Sequence, residues 1–181
     1  WSGNCRPSPA ALEWCERLGV ENMNGGGATV CDRRPSLANV PPRTMTWDGH
    51  LQINSSMQNE FVFTRDWNGP FFGGFKQVLQ TFERTESPRR LAPVNVYCHF
   101  YSAQHFTSLK ALKDILAWCQ ERPLHPMTAS QYAKIVRDAR ATVIFKCGDA
   151  QWLVSNSGHL RTLRLPADAG APSWRGTTFC S

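Results

Sequence analysis

The residue best suited to chemistry is His99, which lies near the end of a strand-like run over residues 94–100. An imidazole titrates near neutral pH and acts as a general acid or base. In α/β barrels the catalytic side chains lie at the carboxyl ends of the strands, which is where this pattern places His99. A buried, hydrogen-bonded structural histidine is the competing interpretation.

Other polar and aromatic side chains could bind a sugar. Gln58, Asn59 and Glu60 lie between two strand-like segments, where amides and a carboxylate bind hydroxyl groups or orient a histidine; a solvated turn is the alternative. Trp67 and Tyr101 belong to a set of aromatic residues that we place near the mouth of the fold. Their rings could stack on sugars, although most aromatic residues in proteins belong to the core.

The chain carries no self-sufficient metal motif. It has no HxxxH, HExxH or paired-Asp pattern and no CxxC pair among its seven cysteines. Buried thiols that act as small hydrophobic groups are favoured over a dense disulfide framework, and a single disulfide bridge stays open. There is no GxSxG nucleophile motif either.

Composition excludes several classes of protein. Of the 181 residues, 41% are hydrophobic, 19% charged and 11% aromatic, which excludes a disordered, collagenous or coiled-coil chain. No run approaches the roughly 18 apolar residues of a membrane span, so we expect no integral membrane protein. The net charge is +6, but the basic residues are scattered, so we expect no binding to nucleic acid.

Residues 1–140 alternate between strand and helix signals. A first helix begins after the capping residue Ser8 and ends at Gly19. A short apolar–polar stretch over residues 20–24 follows, and a long irregular loop then runs from Gly25 to about residue 50. Short strands are predicted over residues 51–53 and 61–63. A second helix begins near Phe75, with Phe75, Val78, Leu79 and Phe82 on one face.

Two further helices and three strands follow the strand-like run. The third helix is predicted over residues 108–121 and the fourth after a Thr128–Gln131 capping box. Strands are predicted over residues 142–147, 151–154 and 160–165. The predicted buried stripes are Leu109, Leu112, Leu116 and Cys119 on the third helix, and Tyr132, Ile135, Val136 and Ala139 on the fourth.

The order of elements predicts an α/β fold with two parts. The pattern over residues 1–140 predicts an α/β barrel or a layered sheet, and the pattern over residues 141–181 predicts the beginning of a small antiparallel β unit.

Seven segments occur in a characteristic serial order. They are residues 1–5 (WSGNC), 18–19 (LG), 22–26 (NMNGG), 57–60 (MQNE), 86–91 (ESPRRL) and 95–102 (NVYCHFYS), with the helical stretch over residues 109–134. In this order they resemble the signatures of the PelA-type polysaccharide deacetylases of Pel exopolysaccharide biosynthesis, and the similarity covers about residues 1–165.

The resemblance implies a fold and an activity. The family's deacetylase domain is a NodB-like distorted (β/α) barrel followed by a β-sandwich, and it removes acetyl groups from N-acetylhexosamine units of a polymer. His99 matches the general-acid histidine of the family. No segment matches the metal ligands or the general base, so the chain resembles the C-terminal half of the barrel, residues 1–140, with a β-sandwich beginning at residues 141–181.

The resemblance also implies a setting. The resemblance implies a divalent metal cofactor, expected to be zinc, with its ligands outside this chain. The expected location is the periplasm, with a polysaccharide substrate and a membrane-associated scaffold of the export machinery as partners. Cys98 departs from the aromatic residue expected at its position. A non-catalytic carbohydrate-binding or scaffold domain of the same fold is the alternative function.

Overall fold

The computed structural model describes residues 7–24, 30–32, 34–55, 58–59, 75–87, 90–98, 100–104, 106–149, 151–160 and 162. The chain divides into two units, Trp1–Pro126 and Met127–Ser181. Both helices and strands are present, so the predicted α/β class is confirmed at that level. Among the described helices, none is long and apolar enough to cross a membrane.

The first helix forms as its sequence predicts. Helix α1 spans Pro9–Arg17, and the Ser8 hydroxyl caps it by accepting a hydrogen bond from the Ala11 amide at 3.2 Å. Its Leu12 side chain is buried. The helix is followed by Gly19 at φ +62°, a left-handed conformation that glycine adopts at little cost.

A three-stranded sheet follows α1. Strand β3 (His50–Asn54) is central, with β1 (Met23–Asn24) parallel on one side and β2 (Thr44–Trp47) antiparallel on the other. The prediction of an irregular loop as far as residue 50 is therefore wrong from Thr44 onward. The turn between β2 and β3 is Asp48-Gly49, with φ of 49° and 84°, as type I′ hairpin turns require.

A strand–helix–strand motif follows this sheet within the first unit. Strand β4 (Gln58–Asn59) pairs in parallel with β5 (Val96–Tyr97), and helix α2 (Val78–Arg84) lies between them in sequence. Parallel neighbours need such a crossover connection. After β5 come a 3-10 helix, Phe100–Gln104, and helix α3, Phe106–Gln120.

The apolar core around this strand–helix–strand motif lies between α2 and α3. As predicted, Phe75, Val78 and Phe82 are buried, and the rings of Phe82 and Trp118 lie 5.7 Å apart. We call the buried set the α2–α3 cluster. Its members are Phe75, Val78, Phe82, Ala111, Ile115 and Trp118.

The predicted stripe on α3 is wrong by one position. The buried residues of the helix are Ser108, Ala111, Ile115 and Trp118, whereas Leu116 is half exposed. Burial of the large Trp118 ring decides the rotation of the helix, because an aromatic side chain removes more apolar area from water than a leucine does. Leu112 and Cys119 pack at the margin of the α2–α3 cluster.

Val30 and Asp32 are held on α2 by side-chain hydrogen bonds. The buried Thr81 hydroxyl accepts from the Val30 amide at 3.1 Å and donates to the Val30 carbonyl at 3.2 Å. The Asp32 amide donates to Gln80, and its carboxylate accepts from Arg84 and Gln80. The hydrogen bond from Arg84, followed by that from Gln80, lowers the pKa of Asp32.

Replacing Thr81 by valine tests this docking. The change keeps the shape of the side chain but leaves the N–H and C=O of buried Val30 without their partner. We expect the free energy of unfolding, measured with urea, to fall by about 2–3 kcal/mol.

The matched control is Thr85→Val, which removes a hydroxyl that donates to the Thr81 carbonyl. That carbonyl still accepts from the Thr85 amide, so the control costs under about 1 kcal/mol. Equal losses in the two variants would contradict the docking role.

The second unit consists of a helix and a hairpin among its described residues. Helix α4 (Ala129–Ala141) begins with the predicted capping box, in which Thr128 and Gln131 bond each other's backbone N–H. Strands β6 (Val143–Gly148) and β7 (Gln151–Ser155) pair antiparallel, which confirms the strands predicted over residues 142–147 and 151–154. The strand predicted over residues 160–165 lies largely outside the described residues.

A buried carboxylate on α4 anchors the chain that follows the hairpin. The predicted stripe on α4 missed it: Ala139 is exposed, whereas Asp138 is 3% exposed. Its oxygens accept from the backbone amides of Ser157 at 2.7 Å, His159 at 2.7 Å and Leu160 at 2.6 Å. Burial acts to raise the pKa of Asp138, but these amide donors outweigh it, and the pKa lies below its ordinary 3.8.

The stability of the chain should therefore depend on the ionisation of Asp138. The folded carboxylate binds its proton less tightly than the unfolded one, so its contribution is complete above pH 3.8 and is lost as the pH falls through the lower folded pKa. We expect Asp138→Asn to lower the free energy of unfolding by about 2–3 kcal/mol near neutral pH. The variant should also lose part of the decline in stability that the wild type shows as the pH falls below about 4, measured with urea.

The control for this experiment is Asp149→Asn, because Asp149 is exposed. It removes the same charge, and its pH profile should follow that of the wild type. A profile of Asp138→Asn that runs parallel to the wild type throughout would contradict the anchoring role.

Candidate functional site

The parallel pair β4–β5 brings two of the sequence-selected segments to one edge. The register aligns Gln58 with Val96 and Asn59 with Tyr97. Both strands run in the same direction, so the chain leaves both at the same edge. Glu60 directly follows β4 in sequence, and His99 follows β5 by two residues. The carboxyl ends of parallel strands are the usual place for catalytic groups in α/β folds.

Strand β5 packs against the α2–α3 cluster. Val94 and Val96 are partly buried and pack against the cluster, whereas Tyr97 is 38% exposed and Cys98 is exposed. The chain therefore passes from the apolar core to the surface within the residues that lead to His99.

The predicted site residues are described to different extents. His99, Glu60 and Trp67 lie outside the described residues, so their predicted roles stay predictions. For Asn59 and Tyr101 the structure describes the backbone: Asn59 ends β4, and Tyr101 lies in the 3-10 helix that follows β5. The roles predicted for these two side chains also stay predictions.

A hydrogen bond that sequence reasoning missed joins the approaches to the two strands. The Asn95 Nδ2 donates to the Ser55 Oγ at 2.8 Å. Ser55 is 5% exposed and directly follows β3, and Asn95 directly precedes β5. No sequence pattern signals a contact between residues 40 positions apart, so this bond becomes visible only in the fold.

Buried amides lie along β3 and next to β1, where a sheet face is usually apolar. Asn22 donates to Gln52 at 3.4 Å, and Asn54 donates to the Pro42 carbonyl at 2.8 Å. All three of these amide side chains are less than 10% exposed. They satisfy one another and nearby backbone, as buried polar groups must, and so they fix the polypeptide on either side of β3. The sequence predicts strand and loop in this region and carries no signal for these buried amides.

The described residues do not fit a metal centre. Within them, no three side chains of His, Cys, Asp or Glu come together in a group that could hold an ion. Glu16 and His50 do meet, with Oε2 and Nδ1 at 2.9 Å, but two ligands on a partly exposed pair do not make a site. No metal ligand is therefore assigned to the described part of this chain.

The described cysteines are all free thiols, and they differ in burial. Of the five that the structure describes, none is in a disulfide bond. Cys31 is buried, as expected for a thiol that acts as a small hydrophobic group, and Cys15 and Cys119 are part-buried. Cys98 and Cys147 are exposed, so that expectation is wrong for them.

Comparison with protein-family models, with curated proteins and with solved structures finds no match to this chain.

Proposed function

We propose that this chain is the C-terminal part of a metal-dependent polysaccharide de-N-acetylase that acts on N-acetylhexosamine units. The part would belong to a NodB-like barrel. The observation that carries the proposal is the parallel pairing of β4 with β5, because it brings the chain that leads to His99 and the segment Gln58–Asn59 to one strand edge. The crossover through α2 and the helix after β5 follow the alternation of a β/α fold.

His99 is the general acid of the proposed reaction. Water adds to the acetamide carbonyl, and the bond between that carbon and the nitrogen then breaks. The amine leaves only if its nitrogen is protonated, so the imidazolium of His99 donates its proton to that nitrogen as the bond breaks. The products are acetate and a free amino sugar. The divalent metal implied by the resemblance supplies Lewis acidity for the attack, and its ligands are expected outside these residues.

The remaining sequence-selected residues are proposed to hold the sugar. Asn59 and Glu60 offer an amide and a carboxylate, which pair with hydroxyl groups, and Trp67 and Tyr101 offer rings that stack on the apolar face of a pyranose. The proposed setting is exopolysaccharide synthesis and export in the periplasm, with a membrane-associated scaffold of the export machinery as partner.

Replacing His99 tests the proposed acid. In the full-length polypeptide that carries this chain, His99→Ala should lower kcat for acetate release by about 10²–10⁴-fold, because the amine then leaves without a proton donor. Thermal unfolding should stay near that of the wild type. The control is His125→Ala, which removes an exposed imidazole and should leave turnover unchanged.

Two outcomes would overturn the proposal. Turnover by His99→Ala at the wild-type rate would remove His99 from the reaction. Wild-type protein that binds an N-acetylated oligosaccharide and releases no acetate with added zinc would favour the non-catalytic carbohydrate-binding domain.

Glu60→Gln tests the proposed contact with the substrate. The change keeps the size of the side chain and removes its charge, so a hydroxyl donor loses a charged acceptor. We expect kcat/KM on the polymer to fall by about tenfold, mostly through KM. Unchanged steady-state kinetics would remove Glu60 from the substrate site.

A further inference from the structure

Three backbone amides in the chain after β7 converge on one carboxylate. The amides of Ser157, His159 and Leu160 donate to the oxygens of Asp138 at 2.7, 2.7 and 2.6 Å. Backbone N–H groups that lie close together in sequence and point to one place form a concave anion-binding surface, which is called a nest. Because Asp138 is only 3% exposed, these amides replace the water that an ionised carboxylate would otherwise bind.

The loop that carries these amides is also held by hydrogen bonds of its own. The Asn156 side-chain oxygen accepts from the Gly158 amide at 2.9 Å, and its Nδ2 donates to the Leu160 carbonyl at 2.9 Å. Between the two bonded residues, Gly158 turns the chain with φ +86°. Neither bond involves Asp138, so the curvature of the loop has a source other than the carboxylate that it binds.

A carboxylate is the group that suits this arrangement of donors. Three N–H donors need an acceptor with several lone pairs, and an ionised carboxyl group offers about four acceptor sites on its two oxygens. Hydrogen bonds to a charged acceptor are shorter and stronger than neutral ones, and the distances to Asp138 are short. A neutral amide in the same place would offer one oxygen and would turn two N–H groups of its own toward the donors.

We infer that residues 156–160 form a preorganised carboxylate-binding loop, with Asp138 of α4 as its resident ligand. The loop keeps its shape when the Asp138 carboxylate is removed, and the vacated place takes a small planar carboxylate. The loop and its ligand are independent of the proposed deacetylase activity.

Asp138→Ala tests the inference, with formate as the probe. The change removes one carboxylate group beyond Cβ, and formate supplies a carboxylate of the same size. In the full chain near neutral pH, we expect formate to stabilise this variant along a saturating curve. At about ten times its dissociation constant, formate should lower the unfolding equilibrium constant about tenfold, measured with urea against sodium chloride of equal ionic strength.

Two controls separate a filled site from a general effect of salt. Asp149→Ala removes an exposed carboxylate, and neither this variant nor the wild type should respond to formate more than to chloride. Acetate should stabilise Asp138→Ala less than formate does, since the methyl group of acetate competes for space with the alanine Cβ.

Asn156→Ala tests whether the loop is preorganised. In combination with Asp138→Ala, it should weaken formate binding about tenfold, because the loop then loses both hydrogen bonds of the Asn156 side chain. With Asp138 intact, amide hydrogen exchange at residues 157, 159 and 160 should speed up in Asn156→Ala. Equal formate affinity with and without the Asn156 side chain would show that the ligand sets the shape of the loop, which overturns the inference.

The test holds whether or not Asp138→Ala folds by itself. If the variant is unfolded in chloride, its refolding in formate, observed in heteronuclear NMR spectra, supports the inference. If the folded variant has the same stability in formate and in chloride, or the unfolded variant stays unfolded in both, the loop does not bind a free carboxylate and the inference is wrong.

Discussion

The parallel pairing of β4 with β5 is the constraint on which the candidate site depends. It joins residues nearly 40 positions apart in the chain, and it requires the intervening segment to cross over and return. Helix α2 provides part of that connection, and the α2–α3 cluster fixes it, since Phe75, Val78 and Phe82 are buried against α3. Helix packing therefore helps to hold this strand edge, together with the two residue pairs of the ladder that the structure describes.

The second unit uses a different kind of constraint. Its hairpin exposes large apolar side chains on both strands, including Phe145 and Trp152, and so it buries little apolar area among the described residues. A buried carboxylate, Asp138, instead ties the chain after the hairpin to α4 through three backbone amides. A charged acceptor forms hydrogen bonds stronger than neutral ones, so this carboxylate is a strong anchor for the residues that follow the hairpin.

Local signals in the sequence predicted the elements that depend on local physics. The Ser8 cap with Pro9 and the Thr128–Gln131 capping box each use neighbouring residues alone, and both helices begin where the sequence predicts. The hairpin turn Asp48-Gly49 was also readable, since this dipeptide favours positive φ between two strands. The surrounding proline and glycine residues, however, favour an irregular loop, and this stronger signal hides the hairpin turn in the sequence.

Contacts between distant residues could not be predicted in the same way. The rotation of α3 depends on which of its large side chains packs against α2. Trp118 is buried there in place of the predicted leucine stripe. Asp138 is charged, and its burial makes sense only once the amides of residues 157–160 are in place. Neither the pairing of β4 with β5 nor the bond between Asn95 and Ser55 had a sequence signal, because each joins residues about 40 positions apart. For the candidate site, the sequence predicted the residue types, and the fold added the parallel pairing of the two strands that precede Glu60 and His99 in the chain.

Backbone nuclear Overhauser effects in the isotope-labelled chain test the central claim most directly. The account predicts cross-peaks that link Asn59 with Tyr97 and Gln58 with Val96 in the pattern of parallel strands. Strong contacts between facing Hα protons, which are typical of antiparallel strands, would contradict it. So would the absence of cross-peaks between these two segments in a chain whose α2–α3 cluster is intact, because His99 and Glu60 would then have no common edge.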